Sequence, residues 1–193
     1  MHLRGLVFAL LIGCAGCGGN QTQASDQFVS QTFDFELSVP EDMALGGWLI
    51  VRAQDATVSH IYIPPDSSEV EPVAVVLPPG SVFPALAPFF VDVFRLKTPG
   101  TTVTQLGDFR ATQVGTTLVE RTPGLTNGVP SEFMVHRSPN TSDILIYEAF
   151  WAKDGLGYAM NTSGASVNAQ QATQFFISDQ AFRNVMATFR LRE

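Results

Sequence analysis

The stretch Phe33-Asp34-Phe35-Glu36-Leu37-Ser38-Val39-Pro40 opens the folded part of the chain. Its apolar residues occupy every second position and alternate with polar ones, which is typical of a β-strand with one buried face. Pro40 has no amide hydrogen to donate, and we expect the strand to end there. The first element of the domain is therefore predicted to be a half-buried strand.

Patterns farther along the chain predict a mixture of strands and helices. Strands are expected at residues 48–51, 57–63, 73–77, 101–106, 109–114, 116–122, 132–137, 143–152 and 156–162. Apolar spacing predicts helices over 81–96 and 169–177, and Ser178 caps a last helix. That helix carries Phe182, Val185, Met186 and Phe189 on one face. Turns ending at Gly128 and Gly155 make their flanking strands antiparallel.

The composition describes one acidic globular domain. The chain has 193 residues and a net charge of −7, from 18 Asp and Glu against 11 Lys and Arg. About 160 residues follow the N-terminal segment, enough for one buried core and too few for two. A chain this acidic, without a basic cluster, excludes nucleic acid as a partner. We predict a single domain over residues 32–193.

The N-terminal segment, residues 1–17, has the pattern of an export signal. Arg4 precedes the apolar run Gly5–Ile12, and small residues follow. Such a run is too short to span a bilayer and is typical of a signal peptide. Both cysteines of the chain, Cys14 and Cys17, lie at its end, so the exported domain is expected to fold without a disulfide.

The cysteines lie in sequences that resemble the lipobox of bacterial lipoproteins. Leu11-Ile12-Gly13-Cys14 matches all four positions, and Cys14-Ala15-Gly16-Cys17 matches the last three. The resemblance implies that Cys14 or Cys17 carries acyl chains such as palmitate, which anchor the protein in membrane lipid. Neither cysteine precedes Asp, and for a Gram-negative source the resemblance then implies the outer membrane and not the inner one. The alternative is an ordinary leader that is discarded with both cysteines. Residues 18–31 are polar and small, and are predicted to form a flexible tether.

Three stretches of the domain resemble the PsbP and Mog1-like superfamily. These are Phe33–Asp42, Gly157-Tyr158-Ala159-Met160 and Phe182–Arg190, in the order expected for that family. The resemblance implies an α+β fold, an antiparallel β-sheet flanked by helices as an α/β/α sandwich. A lipocalin-like all-β barrel is the alternative. Members with known roles are binding or assembly factors, but their partners are not transferred, since fold does not fix function.

Residue patterns for catalysis are sparse in the exported domain. Its histidines are His60 and His136, and it has no cysteine besides Cys14 and Cys17. A nucleophilic triad or a zinc site needs more such groups at suitable spacing. The nearest approach to a calcium loop is Asp66–Glu71, which we interpret as a solvated acidic loop. We expect no metal and no cofactor.

Aromatic residues give the one candidate binding surface. In Tyr147-Glu148-Ala149-Phe150-Trp151, alternation places Tyr147 and Trp151 on one face of a strand. If that face of the sheet were open, the pair would stack on a ligand or a partner. Packing into the core is the other interpretation, and it is the one we favour.

These features together predict a membrane-tethered, non-catalytic binding or assembly module of the bacterial envelope. Its partner would be another envelope protein. An envelope hydrolase with an unrecognised site is one alternative, for which paired carboxylates in a cleft would be expected. A carrier of a small apolar ligand is the other, and it would require a large apolar cavity.

Overall fold

Antiparallel strands make up most of the described chain. The structure is a computed structural model that describes residues 25–53, 67–79, 89–113, 115–137, 144–166 and 178–193. The strands are β1 (Gln27–Val29), β2 (Phe35–Ser38), β3 (Leu49–Arg52), β4 (Ser67–Leu77), β5 (Phe89–Leu96), β6 (Thr117–Thr126), β7 (Val129–Arg137), β8 (Ile144–Lys153), β9 (Leu156–Ser166) and β10 (Arg190–Leu191). The helices are α1 (Glu41–Leu45), α2 (Val103–Ala111) and α3 (Asp179–Met186). None of the described helices is long and apolar enough to cross a bilayer.

The main sheet has seven described strands in the order β3-β4-β5-β9-β8-β7-β6, and all neighbours are antiparallel. Asn127-Gly128 joins β6 to β7, and Asp154-Gly155 joins β8 to β9. All four residues have positive φ, the backbone geometry of tight hairpin turns. The predicted turns are confirmed.

The sheet is flanked by helices, as the predicted α+β fold requires. On one face, Phe133, Tyr147 and Met160 pack against α3 and against a small sheet of order β1-β2-β10. On the other face, Phe150 and neighbouring apolar side chains pack against α2. Within the described residues β3 and β6 are the two end strands of this sheet and do not pair with each other, so the alternative of a lipocalin-like closed barrel is wrong.

The domain begins earlier than predicted. Strand β1 pairs with β2, and Ser25 exchanges two backbone hydrogen bonds with Ile50, at 3.0 and 2.5 Å. Phe28 and Ser30 are buried. The predicted tether over 18–31 is therefore wrong for residues 25–31, because burial of Phe28 fixes this segment in the fold. Residues 18–24 lie outside the described part of the chain.

Two predictions of element type are wrong. The helix predicted over 81–96 is strand β5 where the structure describes it. Strand β5 is buried on both faces, so its apolar residues do not alternate and some of them fall at helical spacing. The strands predicted at 101–106 and 109–114 are replaced by α2. The Thr102 hydroxyl accepts a hydrogen bond from the Gln105 amide, and the Gln105 side chain accepts one from the Thr102 amide. This capping box starts the helix.

The other predicted elements have mixed outcomes. Strands are confirmed in the regions of β2, β3, β4, β6, β7, β8 and β9. The last helix is confirmed, with the Ser178 hydroxyl accepting a hydrogen bond from the Ala181 amide at 3.1 Å. The predicted strand over 57–63 and helix over 169–177 lie outside the described residues.

Gly157 provides space for an aromatic ring in the core. It lies directly opposite Phe94 in the β5–β9 pair. A Cβ atom at position 157 would overlap the Phe94 ring. At Gly124 in β6, by contrast, an added Cβ would meet only Ser131 Oγ, at 3.8 Å.

We predict that Gly157→Ala lowers the free energy of unfolding by about 1–3 kcal/mol, because Phe94 must leave its position to avoid overpacking. The matched control Gly124→Ala should change it by less than about 0.5 kcal/mol, as an ordinary surface substitution does. Urea unfolding of both variants tests this, and equal losses would contradict the packing of Phe94 on Gly157.

Candidate functional site

The candidate binding residues Tyr147 and Trp151 lie in the core of the domain. Trp151 is fully buried and stacks on Phe189, with ring centroids 4.0 Å apart. Tyr147 is also buried, and its ring centroid lies 5.8 Å from that of Phe182. The candidate binding surface is wrong, and core packing, the favoured interpretation, is confirmed, because α3 and the segment after it cover this face of the sheet.

The alternation that motivated that prediction is correct. Tyr147 and Trp151 face α3, while Phe150 packs on the opposite face, under α2. Glu148 lies on the same face as Phe150 and is fully buried. Both faces of β8 are thus covered, which the sequence pattern alone did not reveal.

A buried polar cluster that was not predicted lies under α2; we call it the Arg110 cluster. Arg110, Glu148 and His136 are exposed by 2%, 0% and 1%. Arg110 Nε donates to Glu148 Oε2 at 2.7 Å, and Arg110 Nη1 donates to Gln113 Oε1 and Thr116 Oγ1 at 2.9 and 3.2 Å. His136 Nδ1 lies 3.1 Å from Thr116 Oγ1, and its Nε2 lies 3.4 Å from Glu148 Oε2.

Burial dominates the electrostatics of this cluster. It raises the pKa of Glu148, while the charge and hydrogen bond of Arg110 oppose that rise. Burial and the Arg110 charge lower the pKa of His136 to about 4, so the neutral imidazole is favoured. A substrate could reach these groups only if α2 left the sheet. The arrangement therefore joins α2 to β8 and β7.

One feature of the sequence could have revealed the Arg110 cluster. Glu148 interrupts the apolar run Ile144–Ala152. A carboxylate in a strand buried on both faces needs a charged or hydrogen-bonding partner, because its desolvation is otherwise too costly. The position of that partner depends on α2, which was predicted as strands.

A second ion-pair group fastens the same helix. Arg121 on β6 donates to Glu132 Oε2 at 3.0 Å, to Asp108 Oδ1 at 2.6 Å and to the Thr104 carbonyl at 3.1 Å. Its guanidinium passes close to Gly107, where an added Cβ would lie 2.9 Å from Nη2. Glu132 is 1% exposed. Helix α2 is thus held at two points along its length.

Other polar groups of the described residues do not form a metal centre. Asn161 Nδ2 donates to Asp92 Oδ2 at 3.1 Å in the sheet interior. Glu69, from the acidic stretch considered as a calcium loop, pairs with Arg95 at 2.8 Å. The described ranges contain no group of three or more His, Cys, Asp or Glu that could hold a metal ion.

The accessible candidate is a surface groove between the β6–β7 hairpin and α3, here called the hairpin groove. Its volume is about 290 Å³. Its lining includes Thr122, Leu125, Phe133, Arg183 and Met186. Leu125 is 73% exposed, although it is a large apolar residue. The apolar side chain of Leu125 is therefore exposed to solvent beside the hairpin groove, which is itself partly apolar.

The walls of the hairpin groove are held by side-chain contacts. Asn127 Nδ2 in the hairpin turn donates to the carbonyls of Ala187 and Phe189, at 3.0 and 2.8 Å. The Arg183 guanidinium lies 3.8 Å from the Phe133 ring centroid. Arg183 also binds Glu120 at 2.8 Å. The hairpin and α3 are therefore fixed relative to each other.

No family model matches the chain, and no curated protein does. Among solved structures, the chain is similar to the solution structure of cyanobacterial PsbP (CyanoP) from Synechocystis sp. PCC 6803, with 13% sequence identity and a TM-score of 0.47. The match covers 92% of this chain and 98% of that one. Cys14 and Cys17, the predicted lipid-attachment residues, lie outside the described part of the chain.

We predict that His136 makes stability depend on acid pH. Its folded pKa, about 4, lies below the unfolded value of 6.5. As the pH falls, His136 is therefore protonated in the unfolded chain before it is protonated in the folded one. The stability contributed by the neutral His136 is fully present above pH 6.5 and is lost as the pH falls toward 4. Relative to His136→Gln, the wild type should lose about 1–3 kcal/mol over that interval. Denaturant unfolding at several pH values measures the difference, and a difference independent of pH would contradict the burial of a neutral His136.

Proposed function

We propose that this chain is a lipid-anchored, non-catalytic binding or assembly module of a bacterial envelope, which holds another envelope protein at the β6 edge of its sheet. The observation that carries the proposal is Leu125, exposed beside the hairpin groove on that edge. Exposed apolar surface that is rimmed by polar residues is typical of protein–protein interaction sites. The β3 edge, at the other end of the sheet, lies next to the segment that leads to the predicted anchor.

The placement of the charged groups supports a role without catalysis. General acids and bases must come within hydrogen-bond distance of the substrate. Glu148, His136 and Glu132 are each at most 1% exposed. Arg110 binds Glu148, and Arg121 binds Glu132. These groups stabilise the docking of α2, and a hydrolase would need comparable carboxylates in an accessible cleft.

The dimensions of the hairpin groove favour one inserted side chain over a bound small molecule. Its volume of about 290 Å³ is at the lower end of the range for small-ligand pockets. A leucine, methionine or phenylalanine of a partner would contact Leu125 and Met186 there. Addition of a partner strand to β6 is disfavoured, because Pro123 cannot donate a backbone hydrogen bond and a register shift falls between Leu118 and Glu120.

The anchor in this proposal is the acylated Cys14 or Cys17. Each buried CH₂ group adds about 0.8 kcal/mol, so several acyl chains hold a protein stably in a membrane. Such an anchor concentrates the domain at the membrane where its partner resides. In a Gram-negative cell we propose the outer membrane as the site.

We predict that labelling with a radioactive fatty acid gives a labelled protein, and that only one of Cys14→Ala and Cys17→Ala removes the label. Only one variant should lose the label because the sulfur of a single cysteine carries the lipid. The other cysteine then belongs either to the leader or to the mature chain. If both single variants kept the label, or the wild type took none, the anchor would be wrong.

We predict that a photo-crosslinker at position 125 of the lipidated protein captures one envelope protein in intact cells. Position 119 on the same strand is a matched control, since Val119 is also exposed, at 50%. A Met186→Asp variant should reduce the adduct at position 125, because it places a charge in the hairpin groove. Equal adducts at both positions, or an adduct that Met186→Asp leaves unchanged, would contradict docking at the groove.

A further inference from the structure

A second exposed apolar feature lies at the corner formed by α1 and the residues after it, here called the α1 corner and defined as Leu45, Gly46, Gly47 and Trp48. Leu45 is 83% exposed, more than any other large apolar side chain of the described residues. Trp48 is half-buried, with its ring centroid 5.9 Å from that of Phe89. The exposed side chain of Leu45 therefore lies at the surface next to the half-buried indole ring of Trp48.

The α1 corner adjoins the point at which the described chain begins. Ser25 is bonded to Ile50 in β3. Ser25, Leu45 and Trp48 line one shallow cavity of about 510 Å³. A lipid anchor at Cys14 or Cys17 would therefore join the domain at Ser25, beside Leu45.

The length of chain before Ser25 limits the distance from the anchor. Residues 18–24 separate Cys17 from Ser25. Even fully extended, this link spans at most about 28 Å, and the link from Cys14 at most about 39 Å. The link is shorter than the predicted 18–31 tether, because residues 25–31 belong to the fold. Ser25 and the α1 corner therefore lie within about 28 Å of an anchored Cys17, or within about 39 Å of an anchored Cys14.

We propose that the α1 corner contacts the bilayer, with Leu45 and Trp48 entering the headgroup region and the hairpin groove held away from it. The inference rests on the proposed lipid anchor, which brings the corner to the membrane. Six strand spacings of about 4.8 Å separate the edge strands β3 and β6 by about 29 Å. With the α1 corner on the bilayer, the β6 edge lies on the far side of the domain and is free to meet its partner there.

The chemistry of the corner specifies the lipid it contacts. Tryptophan is enriched at membrane interfaces, where its apolar ring and polar N–H are both accommodated. The corner is bordered by the exposed carboxylates of Asp26, Glu41 and Asp42. Acidic side chains are repelled by anionic lipid surfaces. The contact is therefore assigned to zwitterionic headgroups.

Trp48 provides the probe for the test. The only other tryptophan, Trp151, is fully buried under Phe189. The full lipidated protein is bound to phosphatidylcholine vesicles that carry a doxyl quencher at a shallow acyl position. We expect quenching of tryptophan fluorescence that disappears in Trp48→Phe and falls several-fold in Leu45→Asp. Leu125→Asp, the same change at the opposite edge, should leave the quenching unchanged, and all variants should keep the wild-type unfolding midpoint.

The outcomes separate this inference from the proposed function. A labelled protein that floats with the vesicles but shows no quenching of Trp48 would overturn the orientation and leave the anchor intact. Quenching that persists in Trp48→Phe would also overturn it. An unlabelled protein that does not float would refute the anchor itself. Replacing phosphatidylcholine by phosphatidylglycerol should weaken the quenching, and stronger quenching would contradict the assignment to zwitterionic headgroups.

Discussion

The ion pair between Arg110 and Glu148 is the interaction on which the rest of the structure depends. The central strands of the main sheet, β5, β9, β8 and β7, are buried on both faces. Helix α2 covers one face of them while contributing few apolar side chains, chiefly Val103 and Leu106. Burying two charges is costly unless they are paired and hydrogen-bonded. Once Glu148 lies in the sheet, the Arg110 guanidinium must lie over it, which fixes the position of α2. Arg121 then fastens the same helix from β6.

This constraint directs function to the edges of the sheet. With α2 on one face and α3 with the small sheet on the other, the aromatic and charged groups in between are inaccessible. The exposed apolar side chains Leu45 and Leu125 lie near β3 and on β6, the two edge strands. A lipid anchor beside the first and a protein partner at the second give one consistent orientation for the proposed binding module.

The sequence predicted the parts of the fold that depend on local pattern. Alternation located β8 and assigned Tyr147 and Trp151 to one face, and the residue pairs Asn127-Gly128 and Asp154-Gly155 marked the hairpin turns. The prediction from sequence was wrong for β5, because burial on two faces removed the alternation. It was also wrong for α2, because the capping box at Thr102 starts a helix in a stretch whose composition is typical of strands. Whether an alternating face is covered depends on distant elements, so the sequence leaves open whether Tyr147 and Trp151 lie in the core or at the surface. The partner of Glu148 cannot be found without knowing the position of α2.

A double-mutant cycle on Arg110→Met and Glu148→Leu tests most directly whether this pair closes the sheet. Each single substitution is expected to lower the free energy of unfolding by about 3–5 kcal/mol, because it removes one partner of a buried charge pair. The double variant should lose far less than the sum, since apolar side chains of similar length then fill the same space. Additive losses would mean that the two groups act independently, and the ion pair would then not explain how α2 is held on the sheet.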